Sequence, residues 1–132
     1  MTQRVSVRVM VETPDLASAA AAAGTLCTAL AGFGDPMVLE IDRYWKIERY
    51  FHAVIVLQVG DPSDALRRLT EAMAPEWEWG RERGWAVWDP NTHGAFKIQS
   101  LAEFCRWAHV EVLPEASTTE AASDLPKQDP VD

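Results

Sequence analysis

Two cysteines and three histidines are the side chains that could act as nucleophiles or metal ligands in this chain of 132 residues. Cys105 lies four residues before His109, so a helix over residues 100–109 would place a thiol and a base on one face. Cys27 lies in an alanine-rich segment, where a small apolar side chain fills space in a core. A small enzyme that uses Cys105 and His109 is therefore one hypothesis.

Other catalytic and cofactor motifs depend on a fixed spacing, and the sequence lacks them. His52, His93 and His109 stand in unrelated segments, with no HxH, HExxH or CxxC spacing. GxGxxG, GxxxxGK[ST] and GxSxG are also missing. We therefore expect no metal site and no cofactor.

The net charge of −8 argues against nucleic acid or anionic lipid as a partner, because both require clustered Lys and Arg. Residues 114–132 contain five acids and one lysine, so half of this charge belongs to them. Their composition predicts a disordered acidic tail after a single domain over residues 1–113. Because no apolar run is long enough to span a membrane and the N-terminus lacks a signal-peptide core, we expect a cytoplasmic protein.

The first half of the chain alternates between strand and helix signals. Residues 4–12 alternate strictly between apolar and polar side chains and predict a half-buried strand. Thr13 supplies a capping hydroxyl, Pro14 a first-turn proline and Asp15 an acid near the positive end of the helix dipole. These three residues predict the start of a helix over residues 16–32.

The second half begins with two long strands over residues 37–59, joined by a hairpin. Asp61 and Pro62 then supply an N-cap and a first-turn proline for a second helix. A strand before the turn cluster at residues 89–94 is expected to pair with a short strand at residues 95–98. A helical turn and a final strand over residues 108–113 would complete the domain.

The predicted fold class is α+β. The order β-α-β-β-α-β, with one or two extra C-terminal strands, matches the split βαβ or ferredoxin-like arrangement. In this arrangement the helices cover one face of an antiparallel sheet.

Tryptophan is the unusual residue type, because four of the six fall within residues 76–89. About half of them are expected to fill the core with their N–H groups hydrogen-bonded. The others alternate with charged residues, and aromatic residues are enriched at the centres of protein interfaces. We therefore predict a protein-binding surface. Its residues are Trp45, Tyr50, Glu76, Trp77, Glu78, Trp79 and Glu82.

In size, acidity, tryptophan content, lack of catalytic motifs and predicted topology, the chain resembles the small immunity proteins that bacteria pair with secreted toxins. The resemblance implies a non-catalytic inhibitor that occludes the active site of a toxin, often a basic nuclease. It also implies that acidic side chains accelerate association with that partner.

Two alternatives stay open beside this hypothesis. The first is a ferredoxin-like ligand-binding or regulatory module that acts as a homodimer, in which aromatic side chains line a pocket and Arg43 or Arg49 binds an anionic group. The second is the small enzyme that uses Cys105 and His109. The fold alone does not choose among them, because this topology supports many functions.

Overall fold

The computed structural model describes residues 3–44, 46–47 and 49–113. The predicted disordered tail, residues 114–132, lies outside the described residues. The strands are β1 (Gln3–Glu12), β2 (Asp35–Arg43), β3 (Tyr50–Val59), β4 (Glu78–Trp79), β5 (Trp85–Trp88) and β6 (Cys105–Val112). The helices are α1 (Leu16–Leu30), α2 (Pro62–Met73) and the short α3 (Pro90–His93), with 3₁₀ turns at Arg81–Arg83 and Gln99–Leu101.

The six strands form one antiparallel sheet in the order β2-β3-β1-β6-β5-β4. The buried residues of α1 and α2 join those of the central strands in one hydrophobic core, so both helices lie on the same face of the sheet. The predicted α+β class, with helices on one face of an antiparallel sheet, is confirmed.

The strand predicted before the turn cluster at residues 89–94 is present as β5, but the extra strands do not follow the last strand of the sheet. β4 and β5 come between α2 and the last strand, β6, instead of following it. They extend the sheet beyond β6, so its order differs from that of a simple four-stranded split βαβ sheet.

The core depends on the alternation of the two central strands. The four valines of β1 from Val5 to Val11 are at most 3% exposed, and β3 contributes every second residue from Phe51 to Val59. The indole of Trp88 is fully buried and donates its Nε1–H to the carbonyl oxygen of Gly94 at 3.0 Å. A buried indole needs such an acceptor, which explains how Trp88 occupies the core.

Helix starts are set by local capping. Asp61 accepts hydrogen bonds from the backbone N–H groups of Ser63 and Asp64, and Pro62 opens α2 as predicted. In α1 the cap is Asp15, which accepts from the N–H of Ser18 at 2.8 Å. The predicted capping role of Thr13 is therefore wrong.

The second predicted hairpin is also wrong. Asp89 accepts from the N–H groups of Asn91 and Thr92 and caps the short helix α3, so the turn cluster is helical. Residues 95–98 form no strand, and β5 pairs with β4 and β6 instead.

Candidate functional site

The face of the sheet opposite α1 and α2, which we name the distal face, carries most of the unusual polar chemistry. Residues paired across antiparallel strands point to the same face, so the strand register assigns its members. They include Ser6, Arg8 and Met10 of β1; Glu40 and Asp42 of β2; Tyr50, His52, Val54 and Val56 of β3; Glu78 of β4; Trp85 and Val87 of β5; and Trp107, His109 and Glu111 of β6. In the described part of the chain, no helix contributes a buried residue to this face.

A cationic and aromatic cluster lies at the centre of the distal face. The Nε–H of Arg8 donates to Nε2 of His52 at 3.2 Å, and its guanidinium lies 5.8 Å from the centroid of the Trp107 ring. His109 stacks on Trp107, with the centroids 5.9 Å apart and the ring planes 3° from parallel. The centroid of the Trp85 ring lies 6.1 Å from that of His109. We name these five residues the Arg8 cluster.

Both histidines of the Arg8 cluster are poor bases. Burial and, to a smaller extent, the charge of Arg8 lower the pKa of His52 to about 4 against the opposing effect of Asp42. Burial also lowers the pKa of His109 to about 4, with smaller effects from Arg8 and His52. Near neutral pH both imidazoles are therefore uncharged and Arg8 supplies the positive charge of the cluster.

Two buried polar atoms on the distal face lack a hydrogen bond. Ser6 is fully buried and His109 is 5% exposed, yet Ser6 Oγ and His109 Nδ1 find no partner within the described residues. Ser6 is two residues from Arg8, and His109 pairs with Arg8 across β1 and β6, so the two atoms belong to neighbouring positions. An unsatisfied buried group costs about 1–3 kcal/mol, so this pair of atoms lowers the stability of the folded protein at the distal face.

Carboxylates lie on both sides of the Arg8 cluster. On β2, a hydrogen bond with Asp42 is the main cause that raises the pKa of Glu40, followed by burial and the negative charge of Asp42. On β6, burial raises the pKa of Glu111, opposed by the charge of Arg8. The distal face thus has an aromatic and cationic centre beside acidic groups.

The structure separates the residues that were predicted as one binding surface. Tyr50 and Glu78 lie on the distal face, but their strands, β3 and β4, have three other strands between them. Trp77 and Trp79 are half-buried and pack against the core on the helix side. Trp45 lies outside the described residues.

The two remaining predicted residues lie near β4. Glu76 lines a cleft beside α2 together with Trp77 and Trp79, and Glu82 is exposed in the turn between β4 and β5. Of the predicted set, Glu76, Trp77, Glu78, Trp79 and Glu82 are therefore neighbours along one edge of the sheet. Whether they bind a protein stays a prediction.

The turn between β4 and β5 holds two side chains in an unfavourable backbone conformation. Glu82 and Arg83 have φ angles of 58° and 55°, in the left-handed region that non-glycine residues rarely occupy. The next strand begins with Trp85, whose indole occupies the space that a Cβ on Gly80 would fill. The turn therefore requires glycine at position 80 and carries strain at position 82.

Replacing Glu82 by Asn is expected to raise the free energy of unfolding by about 0.5–1 kcal/mol, because Asn tolerates the left-handed region better than Glu. Urea denaturation of both proteins would measure the change. Glu103→Asn is the matched control, since Glu103 is equally exposed but has a negative φ. An equal or larger gain in the control would contradict the explanation.

The structure overturns the geometry proposed for Cys105 and His109. Residues 105–112 form strand β6, so the predicted helix over this segment is wrong. Cys105 is 1% exposed and belongs to the core on the helix side, whereas His109 lies on the distal face. Burial raises the pKa of Cys105 to about 12, which opposes thiolate formation. The thiol and the imidazole therefore cannot act as a pair.

Sequence reasoning missed Ser6, Arg8 and Trp107, and it considered His52 and His109 only as metal ligands or a base. One signal was present: the polar side of the alternation in β1 carries Ser6 and Arg8. Arginine and serine on that side also suit a solvated strand, so the pattern did not predict their burial.

None of the described helices has the length and apolar character that a bilayer crossing requires. Among the described residues, no three His, Cys, Asp or Glu side chains are grouped so that they could hold a metal ion. Neither family models, curated proteins nor solved structures gave a match to this chain.

Proposed function

We propose that this chain is a non-catalytic binding protein of the bacterial cytoplasm, an immunity protein that binds and blocks a toxin through its distal face. The observation that carries the proposal is the exposed indole of Trp85, which lies beside the aromatic and cationic centre of a sheet face that no described helix covers. A partner that packs against this indole would remove apolar surface from water.

The composition of the distal face favours a protein as this partner. Trp85 is 37% exposed, and Trp107 lies next to the buried Arg8. Tryptophan and arginine at the centre of a surface, with charged groups around them, are typical of residues that dominate binding energy in protein complexes.

The acidic groups favour a basic partner. Glu40 and Asp42 share a hydrogen bond and repel each other when both are ionised, which raises the pKa of Glu40. A lysine or arginine of the partner placed beside them would relieve this repulsion, and the overall charge of −8 would accelerate the encounter. A basic toxin domain, such as a nuclease, has this character.

We further propose that β1, α1, β2, β3, α2 and β6 are a ferredoxin-like unit and that β4 and β5 are an insertion in it. The support is the partial order β2-β3-β1-β6. In this order the two strands that each helix connects are not adjacent, because one antiparallel strand lies between them. This is the property of a split βαβ arrangement.

The proposal is tested by titrating the protein, in a calorimeter, with an inactivated toxin domain encoded by the neighbouring gene. We expect a tight complex, and we expect Trp85→Ala to weaken it at least about tenfold, since a central aromatic residue often contributes 2 kcal/mol or more. Phe104→Ala is the matched control, because Phe104 is another exposed aromatic residue, 43% exposed, outside the strands.

A second experiment tests the role of the acidic groups on β2. The double variant Glu40→Gln and Asp42→Asn should reduce the association rate and its salt dependence, whereas Glu71→Gln with Glu103→Gln should not, because those two exposed acids lie away from the distal face. Absence of binding, or equal losses for Trp85→Ala and Phe104→Ala, would overturn the proposal. A stable homodimer that Trp85→Ala dissociates would also overturn it, since a second copy would then occupy the face.

A further inference from the structure

A second surface, separate from the distal face, has the properties of a small-molecule site. It is a cleft of about 430 Å³ on the helix side of the sheet, between the C-terminal end of α2, strand β4 and helix α3. Small-molecule sites in proteins commonly enclose roughly 300–1,000 Å³. The residues that matter for its chemistry are Glu71, Glu76, Trp77, Trp79, Arg83 and Lys97.

The two indoles are fixed walls of this cleft. Trp77 donates its Nε1–H to the carbonyl oxygens of Thr70 at 2.9 Å and Ala74 at 3.3 Å, which ties its ring to the end of α2. Trp79 packs against the core, and the guanidinium of Arg83 lies 4.1 Å from the centroid of its ring. Indoles that are anchored in this way lose little further entropy when a planar ring binds against them.

Two cations at the cleft have no carboxylate partner within the described residues. Arg83 contacts the Trp79 ring, and Lys97 donates one N–H to the backbone oxygen of Glu71 at 2.8 Å, so both retain donors for a ligand. Arg67, which also lines the cleft, already pairs with Asp64 at 2.7 Å and with Glu71 at 3.5 Å. Glu76 is the one lining carboxylate outside these pairs among the residues that the structure describes.

The backbone at Arg83 is strained in the conformation that holds its charge at the cleft. Its φ of 55° is costly for a residue with a side chain, yet this conformation directs the guanidinium over Trp79 at the cleft. Many residue types could close a turn between β4 and β5 with less strain. The position of the charge is therefore the feature that needs an explanation.

We infer that this cleft binds a small aromatic anion, a planar ring that bears a carboxylate or a phosphate group. The ring packs against Trp77, and Arg83, which lies over Trp79, binds the anionic group together with Lys97. This site lies on the opposite side of the sheet from the distal face. It is independent of the proposed toxin complex, so either can fail without the other.

The test uses 1-naphthoate, 1-naphthyl phosphate and the neutral 1-naphthamide as probes of the ¹⁵N-labelled protein. The six tryptophans give six indole N–H signals, which single Trp→Phe variants assign. At about 1 mM, the two anions should shift the signals of Trp77 and Trp79 and leave those of Trp88 and Trp107 unchanged. The neutral amide should bind at least about tenfold more weakly, because it carries no negative charge to form an ion pair with Arg83 and Lys97.

The charge variants complete the experiment. Arg83→Gln with Lys97→Gln should weaken binding of 1-naphthoate at least about tenfold, while Arg81→Gln should not, because Arg81 lies in the same turn but does not line the cleft. The backbone spectrum verifies that each variant is folded. Whichever anion binds more tightly identifies the anionic group of the ligand. Equal affinity for the amide, equal losses in both charge variants, or unshifted Trp77 and Trp79 signals would overturn the inference.

Discussion

Acidification from about pH 7 to about pH 4.5 is expected to remove several kcal/mol of folding stability, because His52 and His109 are held neutral in the folded protein. Their pKa values fall from 6.5 to about 4 on folding. Between these pH values the unfolded chain binds more protons than the folded chain. The contribution of the two histidines to folding stability is therefore complete above about pH 6.5 and is lost as the pH falls towards about 4. A full shift of this size corresponds to about 3 kcal/mol for each imidazole.

Other groups that face the Arg8 cluster modify this dependence. Arg8 stays charged and opposes protonation of both histidines, while Asp42 favours protonation of His52. The raised pKa values of Glu40 and Glu111 have the opposite effect on the pH dependence of stability. The stability that these carboxyls contribute is present when they are protonated and is lost as the pH rises through their folded pKa. The carboxyls therefore offset part of the loss that the histidines cause.

Urea denaturation at a series of pH values measures the effect. The double variant His52→Gln and His109→Gln should show a much flatter dependence between about pH 6.5 and about pH 4.5 than the unmodified protein, since neither glutamine titrates. Each single variant should remove about half of the slope. An unchanged slope in the double variant would show that the acid sensitivity comes from other groups.

The distal face could not be predicted from the sequence, although most of its strands could. The alternation in β1 and β3 is a local pattern, and the structure confirms that the predicted faces are buried. Arg8, His52 and His109 come together only because β1 lies between β3 and β6. No local pattern contains that order, since Arg8 and His109 are 101 positions apart along the chain.

The strand pairing near β4 was predicted wrongly because of local features of the sequence. The expected partner of β5 was placed at residues 95–98 because the segment between them is rich in turn formers, but Asp89 caps a helix there. The actual turn places Glu82 and Arg83 in the left-handed region without the Asn or Gly that normally signals it. Sequence patterns identify turns through such residues, so a strained turn goes unrecognised.

The tryptophans illustrate how sequence reasoning can find a residue type without finding its role. Trp88 fills the core, Trp77 bonds to the carbonyl end of α2, and Trp85 lies on the distal face. All three come from the same short segment. Their different roles follow from strand alternation and from the turn after Trp79, which the composition of the segment does not reveal.

Alkylation of Cys105 in the folded protein is expected to be roughly a thousandfold slower than that of an ordinary thiol at about pH 8. Burial raises the pKa of this thiol to about 12, so its thiolate fraction is smaller by about that factor. The side chain is also 1% exposed, and its Sγ lies 3.6 Å from the carbonyl oxygen of Trp107. Access by a reagent therefore requires local opening of β6.

Mass spectrometry of iodoacetamide adducts in a Cys27→Ser variant isolates this reaction, and the same variant in urea should react as a model thiol. The complementary Cys105→Ser variant reports on Cys27, whose pKa burial also raises but whose side chain is only half-buried, so it should react faster than Cys105. Rapid alkylation of Cys105 in the folded protein would contradict the burial of this thiol in the core.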